Sequence, residues 1–305
     1  MSTRKGPVAA IHPELSGRES AMILRVDGSD VHLWEYAPVE TTGATRTLLL
    51  VHGFRGDHHG LARLVEALPE MRILSPDLPG FGSSGAWPDR GHDIAGYGAF
   101  ISALLERLSL GPDTVMVGHS FGSIVASHFA AAHPGTIAQL ILINPIAAPA
   151  LEGPKGVLSK LAELYYLAGA TLPARAGNAL LRNRAIVQLM SSTMAKTKDP
   201  ELLTFIHGQH HSYFSRFAGR TMLLEAFRAS ISGTVRQVAA QLGLPVLLIA
   251  GEADEIATLP TQHLLMEQLP DAELVVITGV GHLIHYETPG PAAAAITDFL
   301  RRHPA

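Results

Sequence analysis

Six continuous apolar runs restrict the fold of this 305-residue chain more than any other feature of its sequence. Each run is too short for a typical helix, and none alternates apolar and polar residues as a strand with one wet face does. Strands covered by helices on both faces have this pattern, which is typical of parallel sheets. The runs are TLLLV (47–51), MRILS (71–75), TVMVG (114–118), QLILIN (139–144), PVLLIA (245–250) and ELVVIT (273–278).

Two earlier β-rich runs, AMILRV and VHLWEY, flank Asp27 and Gly28, which is a hairpin signal. Segments with helical spacing separate the later runs. The sequence therefore predicts an α/β fold whose eight-stranded sheet starts antiparallel, continues mostly parallel and has helices on both faces. The predicted helices lie near residues 59–68, 93–109, 120–133, 260–269 and 290–302.

One long interval contains no convincing strand pattern. From about residue 146 to residue 242 the sequence has helical patterns such as LSKLAELYYLAGA and ELLTFIHGQHHSYFSRF. Because a structureless loop of that length is improbable in a compact domain, we predict a helical insertion after the sixth strand. The expected organisation is a flexible N-terminal leader (1–20), a core formed by residues 21–145 and 243–305, and the helical insertion (146–242).

Composition excludes several classes of function. The chain has 23 Lys and Arg against 27 Asp and Glu, so no basic excess indicates nucleic-acid binding. It has no cysteine, which excludes disulfides and thiolate metal ligands and fits a reducing compartment. The N-terminal stretch lacks the apolar core of a signal peptide, and no apolar run approaches membrane-spanning length. We expect a cytoplasmic protein; the sequence does not indicate its oligomeric state.

The stretch GHSFG (118–122) places one serine on a tight corner between a buried strand and a helix. Ligands of open parallel sheets bind beyond the carboxyl ends of the strands, where such a corner would lie. Small residues two positions before and two positions after Ser120 allow the backbone to fold sharply and hold the hydroxyl clear of the sheet. Ser120 is therefore the candidate nucleophile, and it requires a base and a group that orients the base.

Candidate partners follow two other strands. His282 comes after the last strand and is the expected base, with His285 as its rival. Asp254 comes after the preceding strand and is the expected acid, in competition with Glu252 and Glu255. Since the carboxyl ends of parallel strands meet at one edge of the sheet, these residues can converge although they are distant in sequence.

A tetrahedral intermediate would also need hydrogen-bond donors for its oxyanion. The amide after the nucleophile belongs to Phe121, and a second amide can come from Phe54 on the turn after the third strand. Gly53 permits the close backbone approach that such a pocket requires. The sequence thus predicts an oxyanion hole formed by Phe54 and Phe121.

Five motifs in strand order resemble those of the α/β-hydrolase fold superfamily. They are VHGF, PDLPGFGSS, VGHSFGS, GEAD and GHLIHYETP, and the resemblance extends from about residue 22 to residue 302. It implies that Ser120 is the nucleophile, Asp254 the acid and His282 the base, and that the helical insertion is a cap over the active site. An alternative acid position after the sixth strand, used by some relatives, is Asn144 here, which is uncharged.

Polar side chains near the expected pocket are candidates for substrate binding. Arg55 and His58 follow the oxyanion turn, where they could contact a polar or anionic substrate group or form a salt-bridged surface loop. His210 and Tyr213 lie on a cap segment expected to face Ser120, or in the seam between cap and core. The histidine pairs lack a completing ligand set, so we predict no metal site and no cofactor.

The leading functional prediction is a serine hydrolase that cleaves a carboxylic ester or related acyl compound of small size. The resemblance also implies two alternatives with the same triad, a carbon–carbon bond hydrolase and a MenH-like lyase. A ligand-binding receptor on a hydrolase scaffold is the alternative from another class, which slow turnover combined with strong ligand binding would reveal.

Overall fold

The computed structural model of the protein describes residue 15 and residues 17–40, 46–149 and 156–304. Its centre is one eight-stranded sheet in the order β1-β2-β4-β3-β5-β6-β7-β8. β1 pairs antiparallel with β2 and β2 with β4, and all remaining pairs are parallel. The strands are β1 (Glu19–Val26), β2 (Ser29–Tyr36), β3 (Thr47–Val51), β4 (Arg72–Pro76), β5 (Val115–His119), β6 (Gln139–Ile143), β7 (Val246–Gly251) and β8 (Ala272–Ile277). The predicted sheet is confirmed.

Helices cover both faces of this sheet and form the insertion after β6. In chain order they are α1 (His58–Glu66), α2 (Ile94–Arg107), α3 (Phe121–Ala132), α4 (Gly156–Thr171), α5 (Ala174–Leu181), α6 (Arg184–Met194), α7 (Pro200–Tyr213), α8 (Arg220–Ser232), α9 (Leu259–Met266), α10 (Ile284–Glu287) and α11 (Pro289–Arg302). None of the helices in the described ranges combines the length and the apolar character that crossing a membrane requires.

β3 shows why the strands are uninterrupted apolar runs. Successive side chains of a strand point to opposite faces of the sheet. Leu48 and Leu50 lie in a core cluster with side chains of α1 and α11, such as Leu64 and Phe299. Leu49 and Val51 lie in the other cluster, against side chains of α2 and α3. Since both faces are buried, every position of the strand has to be apolar.

Among the described residues between β6 and β7 there are five α-helices, α4 to α8, followed by two short 3-10 turns at 235–237 and 239–241, so this interval is helical as predicted. α4 packs against α5 and α8, and α6 packs against α7. The segment after α7 joins the cap to the core, because Phe217 forms an antiparallel bridge with Phe81 in the loop after β4. The amide of Ala218 also donates to the carbonyl of Gly80, with 2.9 Å between nitrogen and oxygen.

The N-terminal leader predicted for residues 1–20 is too long at its C-terminal end. β1 begins at Glu19, and the side chain of Leu15 is buried in the core. Arg18 donates from its guanidinium to the carbonyl oxygens of Ala37 at 2.6 Å and Leu68 at 3.2 Å. These contacts attach Leu15 and residues 17–20 to the core, while residues 1–14 and 16 lie outside the described residues.

Candidate active site

Ser120 stands on the sharp turn between β5 and α3, with φ +53° and ψ −119°. This left-handed conformation is strained for a residue with a side chain and is often found at functional sites. The turn depends on two glycines. A Cβ at Gly118 would lie 2.5 Å from the carbonyl oxygen of Gly122, and one at Gly122 would overlap the carbonyl oxygen of Val51. The spacing of small residues in GHSFG therefore reflects real close contacts.

The structure brings Ser120, His282 and Asp254 into one hydrogen-bonded chain. His282 Nε2 lies 2.8 Å from Ser120 Oγ, and His282 Nδ1 lies 2.7 Å from Asp254 Oδ2. Because an ionised carboxylate can only accept, Nδ1 carries the proton and Nε2 is free to accept from the serine hydroxyl. This is the arrangement that a serine nucleophile needs in order to lose its proton.

The carboxylate of Asp254 is buried but well satisfied. Its Oδ1 accepts from the amides of Ile256 at 2.7 Å and Ala257 at 3.0 Å. Burial alone would raise the pKa of Asp254, but the charge and hydrogen bond of His282 and the two amides bring this pKa below its ordinary value. Asp254 therefore stays ionised and fixes the tautomer of His282.

The rivals to Asp254 are engaged elsewhere. Glu252 accepts from the amide of Gly279 at 3.0 Å, and Glu255 forms an ion pair with Lys196 at 2.8 Å. Asn144, at the alternative acid position, donates from Nδ2 to the carbonyl of Gly281 at 3.1 Å and accepts at Oδ1 from the amide of Gly251 at 2.8 Å. It thus connects the loops that carry Asp254 and His282, a positioning role that the sequence did not predict.

The rival base, His285, is buried behind the triad. Its ring lies 4.2 Å from that of His119, whose Nε2 lies 3.2 Å from the carbonyl oxygen of His282. Burial lowers the pKa of His119 to about 3 and the pKa of His285 well below its ordinary value. Both rings are therefore neutral at pH 7, and within the described residues only His282 hydrogen bonds to the Ser120 hydroxyl.

The two predicted oxyanion amides lie on turns that pack against the serine. Phe121 is the first residue of α3, so its amide has no intrahelical acceptor. A Cβ at Gly53 would lie 3.3 Å from the Cβ of Ser120, which shows how closely the turn before Phe54 approaches the nucleophile. His52 connects the turn before Phe54 with the loop after β4. Its Nδ1 lies 2.8 Å from the carbonyl oxygen of Gly53, and its Nε2 accepts from the backbone amide of Leu78 at 2.9 Å.

Arg55, directly after Phe54, is almost fully buried, with 1% of its surface exposed and φ +60°. Its Nε donates to the carbonyl of Phe214 at 2.8 Å, and one terminal nitrogen donates to the carbonyl of Leu181 at 2.9 Å. Leu181 ends α5 and Phe214 follows α7, so both acceptors lie at the negative ends of cap helices. The guanidinium therefore joins the turn after Phe54 to the helical insertion and is not part of a salt-bridged surface loop.

The other predicted substrate-binding side chains are also engaged within the protein. His58 is buried, with Nδ1 2.9 Å from Asp77 Oδ1 and its ring stacked on Trp34. His210 is buried on α7, with Nδ1 2.7 Å from the Ser191 hydroxyl. Tyr213 stacks on the ring of His59. A direct contact of Arg55, His58, His210 or Tyr213 with substrate remains a prediction.

Asp57, His58 and His59 form the one cluster in the described ranges with metal-ligand geometry, and their ligand atoms lie within 4.8 Å of one another. The sequence did not predict this convergence. Two of the possible ligand atoms already contact carboxylates, since His58 Nδ1 lies 2.9 Å from Asp77 and His59 Nδ1 lies 3.3 Å from Asp57. In this arrangement the imidazoles stabilise two buried carboxylates, and the absence of a metal remains a prediction.

Comparison with known proteins agrees with the fold. A family profile described as the alpha/beta hydrolase fold matches residues 46–289, which is more than half of the chain. Lipase LipV from Mycobacterium tuberculosis is 41% identical over 124 residues, which are 41% of this chain and only 44% of that lipase. The pimeloyl-(acyl-carrier protein) methyl ester esterase of Aromatoleum aromaticum is 28% identical over 263 residues, covering 83% of this chain and 98% of that enzyme.

Solved structures share the fold. A thermophilic esterase from Thermogutta terrifontis superimposes with a TM-score of 0.74 at 23% identity, covering 93% of this chain and 100% of the esterase. The sheet order and the family match from β3 to the start of α11 agree with one another. The chain belongs to the α/β-hydrolase family and is related to lipases and esterases.

Proposed function

We propose that this protein is a serine hydrolase that cleaves a small carboxylic ester or related acyl compound through an acyl-enzyme. The observation that carries the proposal is the continuous hydrogen-bonded chain from Asp254 through His282 to the hydroxyl of Ser120. Its position at the carboxyl edge of the sheet, beside two turns with candidate oxyanion amides, supports acyl transfer over other uses of a serine.

The first half of the reaction follows from these positions. Ser120 Oγ attacks the ester carbonyl carbon while its proton moves to His282 Nε2. The resulting imidazolium is stabilised by Asp254. The oxygen of the tetrahedral intermediate becomes negative and accepts from the amides of Phe54 and Phe121. His282 then gives its proton to the leaving alkoxide oxygen, and an alcohol departs from the acyl-enzyme.

The second half reverses these roles with water. His282 Nε2 takes a proton from water as the water oxygen attacks the acyl carbon, and a second oxyanion forms at the same amides. Collapse of this intermediate breaks the bond to Ser120 Oγ, which recovers its proton from His282. The products are one alcohol and one carboxylic acid, and the chain's own residues supply every proton transfer.

The decisive experiment measures hydrolysis of nitrophenyl esters of increasing acyl length by the wild-type protein and by Ser120→Ala. We expect the alanine variant to lose at least about 10⁴-fold in kcat, because it removes the nucleophile. The preferred acyl length would give the depth of the pocket under the cap. Equal rates for both proteins would contradict the proposal.

The alternatives differ in what the same assay would show. The predictions of carbon–carbon bond hydrolysis and of lyase chemistry depended on polar residues after Phe54 that could bind substrate. Two of these residues, Arg55 and His58, instead donate hydrogen bonds to acceptors within the protein. This favours simple ester hydrolysis. A receptor on the same scaffold would bind a ligand tightly but release product slowly, so burst kinetics without steady-state turnover would favour it.

The proposal includes a domain assignment and a location. Residues 17–145 and 243–305 would form the catalytic core, with β1 starting at Glu19, and residues 146–242 would form a cap domain that shapes the substrate pocket. The contacts of Arg55 with the ends of α5 and α7 support a cap seated on the oxyanion turn. The absence of cysteine supports a cytoplasmic location.

A further inference from the structure

The connection between α6 and α7 lies against the loop that carries His282. Ala195 packs against a small apolar cluster that includes Leu283, the residue directly after His282. The backbone amide of Lys196 donates to Glu287 Oε1, with 3.0 Å between nitrogen and oxygen. Because Glu287 ends α10, the helical insertion is attached to the chain on the C-terminal side of His282.

The side chain of Lys196 covers Gly281, the residue directly before His282. A Cβ at Gly281 would lie 2.8 Å from Lys196 Cγ and 3.3 Å from its Cε, so the aliphatic stem lies over the α-carbon of the glycine. The carbonyl of Gly281 in turn accepts from Asn144 Nδ2 at 3.1 Å. Gly281 therefore contacts both a core residue and a residue of the helical insertion.

The same side chain reaches the loop that carries Asp254. Lys196 Nζ forms an ion pair with Glu255, the residue after Asp254, at 2.8 Å. The two side chains are 27% and 65% exposed, so water screens the pair and it contributes little to the attachment. The stem and the backbone amide of Lys196 therefore hold the connection to the core, and the ammonium adds a weaker contact.

Lys196 thus contacts the two loops whose relative position sets the 2.7 Å distance between Asp254 Oδ2 and His282 Nδ1. The loops also touch each other directly, because the amide of Ala253 donates to the carbonyl of Val280 at 2.9 Å. We propose that Lys196 is a positioning residue, which couples the seating of the cap to the geometry of the triad. Its effect on rate rests on the proposed ester hydrolysis, since a displacement of about 1 Å in a reacting group can cost about 100-fold in rate.

Two substitutions separate the ammonium of Lys196 from its stem, and both are assayed with nitrophenyl esters. Lys196→Met keeps the stem, and its kcat should stay within about fivefold of the wild type, because only a screened ion pair is lost. Lys196→Ala also removes the stem, and its kcat should fall about tenfold below that of the methionine variant, with KM nearly unchanged. The matched control is Lys198→Ala, which removes an exposed lysine from the same connection and should leave kcat unchanged.

A size exchange tests the contact between Lys196 and Gly281. Gly281→Ala places a methyl group where the stem lies and should lower kcat about tenfold, because the stem is displaced. The next neighbour of that methyl group, the carbonyl oxygen of Ala253, would be 3.4 Å away, which is an ordinary contact distance. Once Lys196→Ala has freed the space, the methyl group should cost little more. The double variant should therefore retain about tenfold more activity than the product of the two single losses predicts.

Hydrogen–deuterium exchange in the Ser120→Ala background tests the positioning without catalysis. The Ala253 amide should exchange about tenfold faster in Lys196→Ala than in Lys196→Met, while the amides of β5 exchange equally in both, which shows that the fold is intact. Equal exchange at Ala253, equal kcat in the two variants, an equal loss in Lys198→Ala or additive losses in the size exchange would each overturn the proposal. A KM that rises while kcat is unchanged would also overturn it, in favour of substrate binding by Lys196. If the wild type hydrolyses no ester, the proposed function fails, and the exchange difference alone upholds or overturns the positioning.

Discussion

Replacing Arg55 by methionine tests whether the oxyanion turn is held by the cap. The substitution keeps most of the apolar stem and removes the guanidinium, which donates to the carbonyls of Leu181 and Phe214 at 2.9 and 2.8 Å. A third contact, with the hydroxyl of Tyr166, is long at 3.4 Å and adds little. Both carbonyls would then lack this donor at the ends of α5 and α7, the Leu181 carbonyl in a buried position and the Phe214 carbonyl in a partly buried one.

The magnitude follows from these contacts. A buried group left without its partner costs about 1–3 kcal/mol, so two carbonyls cost about 2–6 kcal/mol. Methionine recovers part of this loss, because a desolvated cation no longer has to be kept in the interior. We expect the free energy of unfolding to fall by about 3 kcal/mol. Lysine should lose about 2 kcal/mol, since an ammonium cannot reach both carbonyls as the planar fork does.

Urea denaturation followed by the fluorescence of Trp34 and Trp87 measures the free energy of unfolding. The matched control is Arg228→Met, which breaks an exposed ion pair with Glu163 between two cap helices. This control should cost less than about 1 kcal/mol. A loss below about 1 kcal/mol in Arg55→Met, or an equal loss in the control, would refute the idea that the buried guanidinium holds the cap and the turn together.

Three further predictions test the site and its surroundings. Asp254→Asn should lower kcat by about 10⁴-fold in nitrophenyl ester hydrolysis, because an amide can no longer fix the tautomer of the histidine; a loss below about tenfold would contradict this. Gly122→Ala should cost more than about 3 kcal/mol in urea unfolding, since its Cβ overlaps a backbone carbonyl, whereas Gly208→Ala, in open space on α7, should gain about 0.5–1 kcal/mol; equal effects would refute this. Burial lowers the pKa of His119 and of His210 to about 3, so unfolded histidines bind protons below pH 6.5 while folded ones do not. The free energy of unfolding should therefore fall as pH decreases from 6.5 toward 3, by about 2 kcal/mol per histidine at pH 5. Urea unfolding at pH 7 and at pH 5 measures this loss, and equal free energies of unfolding at the two pH values would contradict the prediction.

The sheet could be predicted from sequence because its physical requirement is local. A strand buried on both faces must be apolar at every position, and the run at 47–51 coincides with β3. The one-turn helix α10 was missed because four residues are too few for a periodic pattern. The start of β1 was placed too late, since Glu19 and Ser20 are polar and exposed at the edge of the sheet.

Some residues of the candidate site could likewise be predicted from the sequence, and others could not. Ser120, Asp254 and His282 could be brought together from sequence, because each follows a parallel strand and those strands end at one edge. The environment of Arg55 could not be predicted. Its acceptors are main-chain carbonyls 126 and 159 residues further along the chain, and a carbonyl at a helix end has the same chemistry for nearly every residue type. Only the placement of the cap reveals them.

The side-chain amide of Asn144 restricts which substitutions the chain can accept at the alternative acid position. It donates to the Gly281 carbonyl and accepts from the Gly251 amide, so it uses both ends of a group that aspartate cannot imitate. An aspartate there would lose the donor and place a negative charge against a carbonyl oxygen. This substitution would therefore weaken the contacts between the loops that carry Asp254 and His282. A stepwise exchange of the acid position that begins with Asn144→Asp would therefore pass through a less stable protein.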